Sequence, residues 1–361
     1  MQDEPLRILC LSNMYPGPNN PDYGAFIEVM CDAIERSGHE VERVVIDTRA
    51  RGPLHTPAKY AGLAARAVAR TRRADVIHAH FLFPTGAIAA ASGRLLSRPW
   101  VITAHGQDVR NLRNPRLRML TAGAVRDAAA IIAVSRYLAD ELRASGLRLP
   151  PVHIADMGVD VTRFRPADRT DARTRLGLGA GPLVLAVGGL TERKNPLRLL
   201  QAFRQVHAVH PDATMAFVGD GPLAGSIRAG ATRWGLDDAL VMPGALPNHA
   251  IADWLAASDV LALPSLVEPL GVVALEALAS GRPVAATRVG GAVEVVGRAG
   301  ATVDPLDPGS IARGLLRLIA APPTPAICRA AAEAHSVQRQ AARVVSVLRG
   351  ALNRRASLRS P

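Results

Sequence analysis

Two glutamates, Glu268 and Glu276, stand eight positions apart around a Pro-Leu-Gly turn. Glu268 falls in the loop after an apolar strand at 260–263, and Glu276 about a turn and a half into the helix opening at Gly271 and Val272. In a parallel α/β sheet the loop after a strand and the start of the next helix face one crevice, so both carboxylates can line one pocket. A carboxylate accepts two parallel hydrogen bonds, which suits sugar diols. The plain alternatives are a solvated loop acid and a helix-surface acid. Against the second, Glu276 sits among Val, Ala and Leu in an otherwise uncharged helix, where a charge needs a partner.

Three other segments carry side chains with chemistry. Gly188, Gly189, Arg193, Lys194 and Asn195 follow an apolar strand and precede a helix at Pro196. A Gly-rich turn with two cations before a helix N-terminus suits a diphosphate, and a basic turn is the simpler reading. His105, between Ala104 and Gly106 with Asp108 close behind, lies just past another strand end. A lone histidine is more often structural, but one followed by Gly at the mouth of a parallel sheet is a better site candidate. Gly24 closes a Pro-, Gly- and Asn-rich loop at 16–24, where backbone N–H groups can approach an anion. That loop is not Gly-x-Gly-x-x-Gly, so a dehydrogenase is poorly supported. Gly219 and Gly221 follow a strand at 214–218 in the same manner.

The elements that must position these groups alternate strand and helix throughout. Strands are expected at 6–12, 40–46, 76–79, 100–103, 131–134 and 152–155, with helices at 25–37, 60–72, 85–96 and 136–145, the last capped by Ser135. A polar stretch at 163–182, rich in Pro and Gly, reads as a linker. A second series follows, with strands at 183–187, 214–218, 240–242, 260–263, 284–286 and 301–303 and helices between them. Helices at 308–320 and 325–352 close the chain. Two such series imply two α/β domains with parallel sheets and crossover helices.

A chain of 361 residues, 48% of them apolar, has room for two cores. Three cysteines, Cys10, Cys31 and Cys328, have no metal-ligand spacing and fit a reducing, cytoplasmic setting. The apolar run at 8–11 follows Asp3 and Glu4 and is too short for a signal peptide. There is no apolar run long enough to span a bilayer. The net charge of +12 is clustered. Seven basic residues and no acid occur from Arg49 to Arg73, nine basic residues and one acid, Glu333, from Arg313 to Arg359, and a third cluster is Arg110, Arg113, Arg116 and Arg118. Such patches attract an anionic lipid surface or a polyanion; a solvated Arg-rich surface is the alternative. Nucleic acid is not expected, because the patches lack stacking aromatics.

The Glu-x7-Glu stretch resembles the donor-site motif of retaining glycosyltransferases of family 4, and the likeness extends from near residue 6 to about residue 300. Thr103, His105, Gly106 and Asp108 match the family's Thr-x-His-Gly-x-Asp. Asp156 to Asp160 with Phe164 and Pro166 resembles its hinge, with Met157 in place of the commoner Asn. His78, His80, Pro84 and Gly86 are similar to an acceptor-side segment. Gly290, Gly291 and Glu294 match a further part of the donor side. The resemblance implies a GT-B fold: two Rossmann-like domains facing across a cleft, at 1–165 and 166–335, with a crossover helix and basic tail at 336–361 returning to the first.

It further implies transfer of a sugar from a nucleoside diphosphate, UDP or GDP, to a hydroxyl, with no cofactor or metal. His105, Lys194 and Glu268 would be the catalytic groups, and His80 and Asp108 would serve the acceptor side. Gly24, Gly188, Gly189, Arg193, Lys194, Gly219, Gly271, Val272 and Glu276 would hold the donor, Glu276 by its ribose. Gly189 stands where the family often has Arg, leaving Arg193 as the only substitute for the second cation. The segments around Asn13 and Tyr23 resemble enzymes building cell-envelope polysaccharides. They suggest a glycan or lipid-linked acceptor and a peripheral place on the inner membrane face. A sugar-nucleotide 2-epimerase of the same fold and a non-catalytic polyanion- or glycan-binding protein are the alternatives.

Overall fold

The computed structural model describes residues 4–18, 20, 23–48 and 55–357. Of the positions discussed above, Asp3, Asn19, Pro21, Asp22, Arg49, Arg51 and Arg359, and the side chain of Arg355, lie outside the described residues. The chain divides into two compact units: the first runs to Gly158 and resumes at Val337, and the second is Val159–Ser336.

The first unit is built on a six-stranded parallel sheet: β1 (Arg7–Ser12), β2 (Glu40–Val45), β3 (Val76–His80), β4 (Trp100–Ala104), β5 (Ala130–Ala133) and β6 (Val152–Ile154), in the order β2-β1-β3-β4-β5-β6. Every residue of β3, β4 and β5 is buried, the pattern of a sheet covered by helices on both faces. The order reverses beside β1, the position where open α/β sheets place a ligand crevice at the strands' carboxyl ends. The last helix, Val337–Ser357, packs on the helix Ala25–Arg36 and against β3, β4 and β5.

The second unit repeats the design with β7 (Leu183–Val187), β8 (Thr214–Val218), β9 (Leu240–Gly244), β10 (Val260–Leu263), β11 (Val284–Thr287) and β12 (Gly300–Val303), in the order β12-β11-β10-β7-β8-β9. Its core joins Phe203, Phe217, Leu199, Ile227 and Leu315 from the covering helices and strands. This is the α/β doubly wound arrangement expected from the alternation.

Several elements differ from expectation. The stretch read as a linker at 163–182 contains a helix, Arg169–Leu176, capped by the Asp168 side chain. Arg173 on that helix is buried, donates to the carbonyls of Ala257, Gly179 and Ala180, and pairs with Asp259 at 2.6 Å. The helix is thereby fastened to the second unit, and the chain changes unit earlier, at Gly158. There the Asp156 carboxylate accepts from the Gly158 N–H at 2.8 Å. The single helix expected at 325–352 is two, Pro325–Glu333 and Val337–Ser357. Between them the His335 carbonyl accepts from the Val159 N–H at 3.0 Å, a tertiary pairing that interrupts the helical ladder. The helix expected from residue 60 begins at His55, since proline is tolerated in a first turn. Two further helices were not foreseen, Gln107–Arg110 and Pro115–Arg126, although the second carries a start signal: the Asn114 side chain accepts from the N–H groups of Arg116 and Leu117 at the turn that opens with Pro115.

Candidate functional site

The sites assigned from sequence form two clusters, one at the strand ends of each unit. In the second unit β7 ends at Val187 and is followed by Gly188 and Gly189, and a short turn of 3-10 helix, Glu192–Lys194, brings Lys194 back toward β10. Lys194 Nζ lies 2.6 Å from Glu268 Oε2, and Arg193 Nη1 lies 4.0 Å from the same oxygen. Ser265 Oγ donates to that oxygen at 2.7 Å. Burial alone pushes the Glu268 carboxyl up; Lys194, Arg193 and Ser265 outweigh it and hold the group below its ordinary value. The carboxylate is therefore ionised and already neutralised by a cation.

The Glu268 backbone is fixed as firmly as its side chain. Its N–H donates to the Val289 carbonyl and its carbonyl accepts from the Gly291 N–H at 2.8 Å. Gly290 runs so close to this loop that a Cβ there would fall 2.0 Å from the Glu268 carbonyl oxygen, with φ at +119°; only glycine fits. Gly271, at φ +81°, turns the chain into the helix Val272–Ala279, and a Cβ there would press Leu263 at 2.8 Å. Val272 is the first residue of that helix and is partly exposed. Asn195, named in this segment from sequence without a role, donates from Nδ2 to the carbonyls of Pro264 and Pro305, tying the Lys194 turn to the Glu268 loop. Gly219, after β8, crosses directly over Gly188.

Gly189 is different in kind. A Cβ there would meet nothing closer than 3.8 Å. The absence of a side chain is not imposed by packing, and the second cation at this strand end is Arg193.

Glu276 is buried on the helix Val272–Ala279. Burial raises its carboxyl to about 7, with the Asn248 hydrogen bond and the Arg163 charge opposing. Asn248 Nδ2 donates to Glu276 Oε1 at 3.2 Å, and Arg163 Nη1 donates to Asn248 Oδ1 at 2.9 Å. Asn248 was not foreseen; it opens the helix Asn248–Ala257, and nothing in the local pattern distinguishes it from a surface residue.

In the first unit, His78 and His80 share one face of β3 by the two-residue period and meet His105 just beyond β4. The ring centroids of His78 and His80 are 4.4 Å apart, and those of His80 and His105 5.3 Å. His80 Nδ1 and His105 Nε2 are hydrogen-bonded at 3.1 Å, and His78 Nε2 meets Thr103 Oγ1 at 2.7 Å. Phe81 and Phe26 flank the His105 ring. Burial depresses all three imidazoles, His78 to about 4, His105 to about 3 and His80 well below its ordinary value, so the trio is uncharged at neutral pH.

His80 is wholly buried, a poor position for touching an acceptor. Asp108, also buried, accepts from the backbone N–H groups of Leu82, His105 and Gly106; these bonds give it the task of holding the His105 loop. Gly24 lies in the first unit, at φ +78°. It caps the helix Ala25–Arg36, two residues before Phe26. Among the described residues no group of three or more His, Cys, Asp or Glu side chains is arranged to hold a metal ion.

Comparison with known proteins places both halves of the chain. Residues 17–163 match the Glycosyltransferase Family 4 model, and residues 181–321 match the model of Glycosyl transferases group 1. A putative teichuronic acid biosynthesis glycosyltransferase, TuaC, of Bacillus subtilis is 28% identical over 339 residues, covering 81% of this chain and 84% of the relative. D-inositol 3-phosphate glycosyltransferase 1 of Catenulispora acidiphila is 34% identical over 288 residues, covering 73% of this chain and 68% of the relative. Among solved structures, Anabaena Alr3699/HepE in complex with UDP superposes with a TM-score of 0.75 at 22% identity, over 95% of this chain and 99% of that one. The shared fold is GT-B.

Proposed function

The chain belongs to glycosyltransferase family 4, and from that premise we propose that it is a retaining, metal-independent enzyme using a UDP- or GDP-sugar. The observation that carries this reading is the Lys194–Glu268 pair with Arg193 beside it. It sets a buried carboxylate for sugar hydroxyls against cations for a diphosphate, at the end of a parallel sheet. Glu268 holds the donor sugar, and Glu276, oriented by Asn248, takes the ribose diol. In the first unit, His105 is the group proposed to hydrogen-bond a sugar oxygen.

In the reaction the bond from the anomeric carbon to the diphosphate oxygen breaks, and the acceptor oxygen forms its bond on the same face. The acceptor proton passes to the departing phosphate, so no side chain is needed as base. Lys194 and Arg193 neutralise the charge gathering on the leaving oxygen. One such preorganised group is worth about 3 kcal/mol of the barrier. The cations do the work a metal does in other phosphate sites, and no cofactor is required.

The acceptor we propose is a cell-envelope glycan or a lipid-linked precursor, taken up at the cytoplasmic membrane face. TuaC, named for teichuronic acid biosynthesis, supports the envelope. The helix Pro115–Arg126 supports the surface. Met119 and Leu120 are 70% and 53% exposed on it, among exposed Arg110, Arg113, Arg116 and Arg118. No acid intervenes between Asp108 and Asp127, and Arg110, Arg113 and Arg116 make no ion pair among the described residues. The other basic stretches are partly neutralised, Arg70 by Glu42, Arg313 by Asp307 and Arg329 by Glu333. No helix among the described residues is long and apolar enough to cross a membrane.

The test is a panel of UDP-, GDP- and ADP-sugars, followed by thermal stabilisation and nucleoside diphosphate release, with Glu268→Gln alongside. One donor that stabilises the wild type and is turned over, with turnover lost in the variant, supports the reading. Donor interconversion without any acceptor indicates an epimerase. No stabilisation and no turnover with any donor, with envelope extract supplied, removes the reading.

A further inference from the structure

The His80 ring is fully buried between those of His78 and His105, and its two nitrogens have unequal fates. Nδ1 meets His105 Nε2 at 3.1 Å, whereas Nε2 is buried without any hydrogen-bond partner. A neutral imidazole carries one N–H and one lone pair, and the trio is neutral at physiological pH. The 3.1 Å contact therefore admits two proton arrangements.

If His105 Nε2–H donates, the His80 proton must sit on Nε2, stranding an N–H in the interior. If His80 Nδ1–H donates, only a lone pair is stranded, and the His105 proton moves to Nδ1. Buried donors without acceptors are the rarer defect, so the second arrangement is favoured. We infer that His80 is a positioning residue that fixes His105 in its Nδ1–H tautomer, so that His105 presents a hydrogen-bond donor to an oxygen of its ligand.

The surroundings reinforce this assignment. Thr85 Oγ1 donates to the His80 carbonyl, pinning the end of β3. Asp108 accepts from the N–H groups of His105 and Gly106, pinning the far side of the pair. Phe26 and Phe81 restrict rotation of the His105 ring. With Nε2 engaged, Nδ1 is the nitrogen that remains, and it has no partner among the described residues. A fixed donor suits a sugar hydroxyl or ring oxygen and not a proton to be abstracted. His105 then orients the sugar and is not a base. The identity of that ligand rests on the proposed glycosyl transfer; the tautomer does not.

The experiment is a long-range proton–nitrogen correlation spectrum of the full chain with 15N-labelled histidine at neutral pH. His105 is expected to show a protonated Nδ1 and an unprotonated Nε2. His80→Leu removes the donor, and His105 is expected to shift toward the Nε2–H form. Its kcat/KM with the best donor is expected to fall about tenfold, the scale of one mispresented hydrogen bond. His80→Asn returns an N–H near the Nδ1 position and is expected to restore the Nδ1–H signature. Should His80→Leu fail to fold, the wild-type and His80→Asn spectra decide alone. A wild-type His105 protonated on Nε2, or one whose tautomer is unmoved in His80→Leu, overturns the inference. The expected spectra from a protein that turns over no sugar nucleotide would uphold the inference while removing the functional reading.

Discussion

Lys194 Nζ lies 2.6 Å from Glu268 Oε2, so the cation that a departing diphosphate would use is already paired with the carboxylate that would hold its sugar. Donor binding must divide this pair's attention between two parts of one ligand. The two residues should consequently respond in opposite ways to nucleotide without sugar. Glu268→Gln removes the competing charge, and nucleoside diphosphate should bind at least as tightly as to the wild type, while turnover falls about 100-fold or more. Titration calorimetry with the diphosphate alone, set beside turnover of the donor, checks the split.

Lys194→Met acts the other way. It leaves Glu268 buried without its main cation, and removing one partner of a buried pair costs about 3–5 kcal/mol. A lowered midpoint of thermal unfolding and weakened diphosphate binding are expected together. Arg193→Ala should do less to stability, because its side chain is 40% exposed and its Nη1 lies 4.0 Å from the carboxylate.

Gly189→Arg should be tolerated and should tighten diphosphate binding. A Cβ at this position meets nothing within 3.8 Å, and a guanidinium can bind a phosphate through two parallel bonds. About a tenfold gain is expected, the scale of one charge-assisted hydrogen bond. An unchanged affinity in a folded variant would show that the strand end after β7 does not face the phosphates.

Glu276 supplies a pH signature. Its carboxyl sits at about 7 in the folded chain against an ordinary 4.5, raised by burial. The folded protein therefore holds this proton more tightly than the unfolded one. The stability that follows is complete below about pH 4.5 and is lost as pH rises through about 7, a change of about 3 kcal/mol. Denaturant melts of Glu276→Gln should be flatter over that window than those of the wild type. Ribose hydroxyls need the ionised form as acceptor, so wild-type nucleotide affinity should rise through pH 7, and the variant's should not.

Vesicle flotation tests the surface proposed on the helix Pro115–Arg126. The protein should float with anionic vesicles at low salt and not with zwitterionic ones. Arg113→Glu with Arg116→Glu should abolish this, since each basic residue near such a surface contributes about 1 kcal/mol. Met119→Ser with Leu120→Ser should weaken binding that survives added salt. Equal flotation of wild type and both variants would place the contact elsewhere.

Much of this architecture is legible in the sequence because parallel strands buried on both faces read as short apolar runs. The strands at 183–187, 214–218 and 260–263 coincide with β7, β8 and β10. The same regularity put Glu268 in a loop and Glu276 inside a helix. Long-range relations were not readable. Arg173 looks like one more arginine in a polar linker until it meets Asp259, 86 residues away. Asn248 gains meaning only through Glu276, and His80 resembles an acceptor contact until its burial is seen. Sequence spacing tells which residues share a strand end, while the facing of individual nitrogens and oxygens depends on chain segments far apart.

The most direct measurement of the central claim is donor turnover followed by proton NMR, using the sugar nucleotide that best stabilises the protein. Spectra taken before mutarotation report the anomer first released to water or acceptor. An α-linked donor is expected to yield the α product, excess chelator is expected to leave the rate unchanged, and Glu268→Gln is expected to be silent. A β product, a chelator-sensitive rate, or full turnover by Glu268→Gln would contradict that claim.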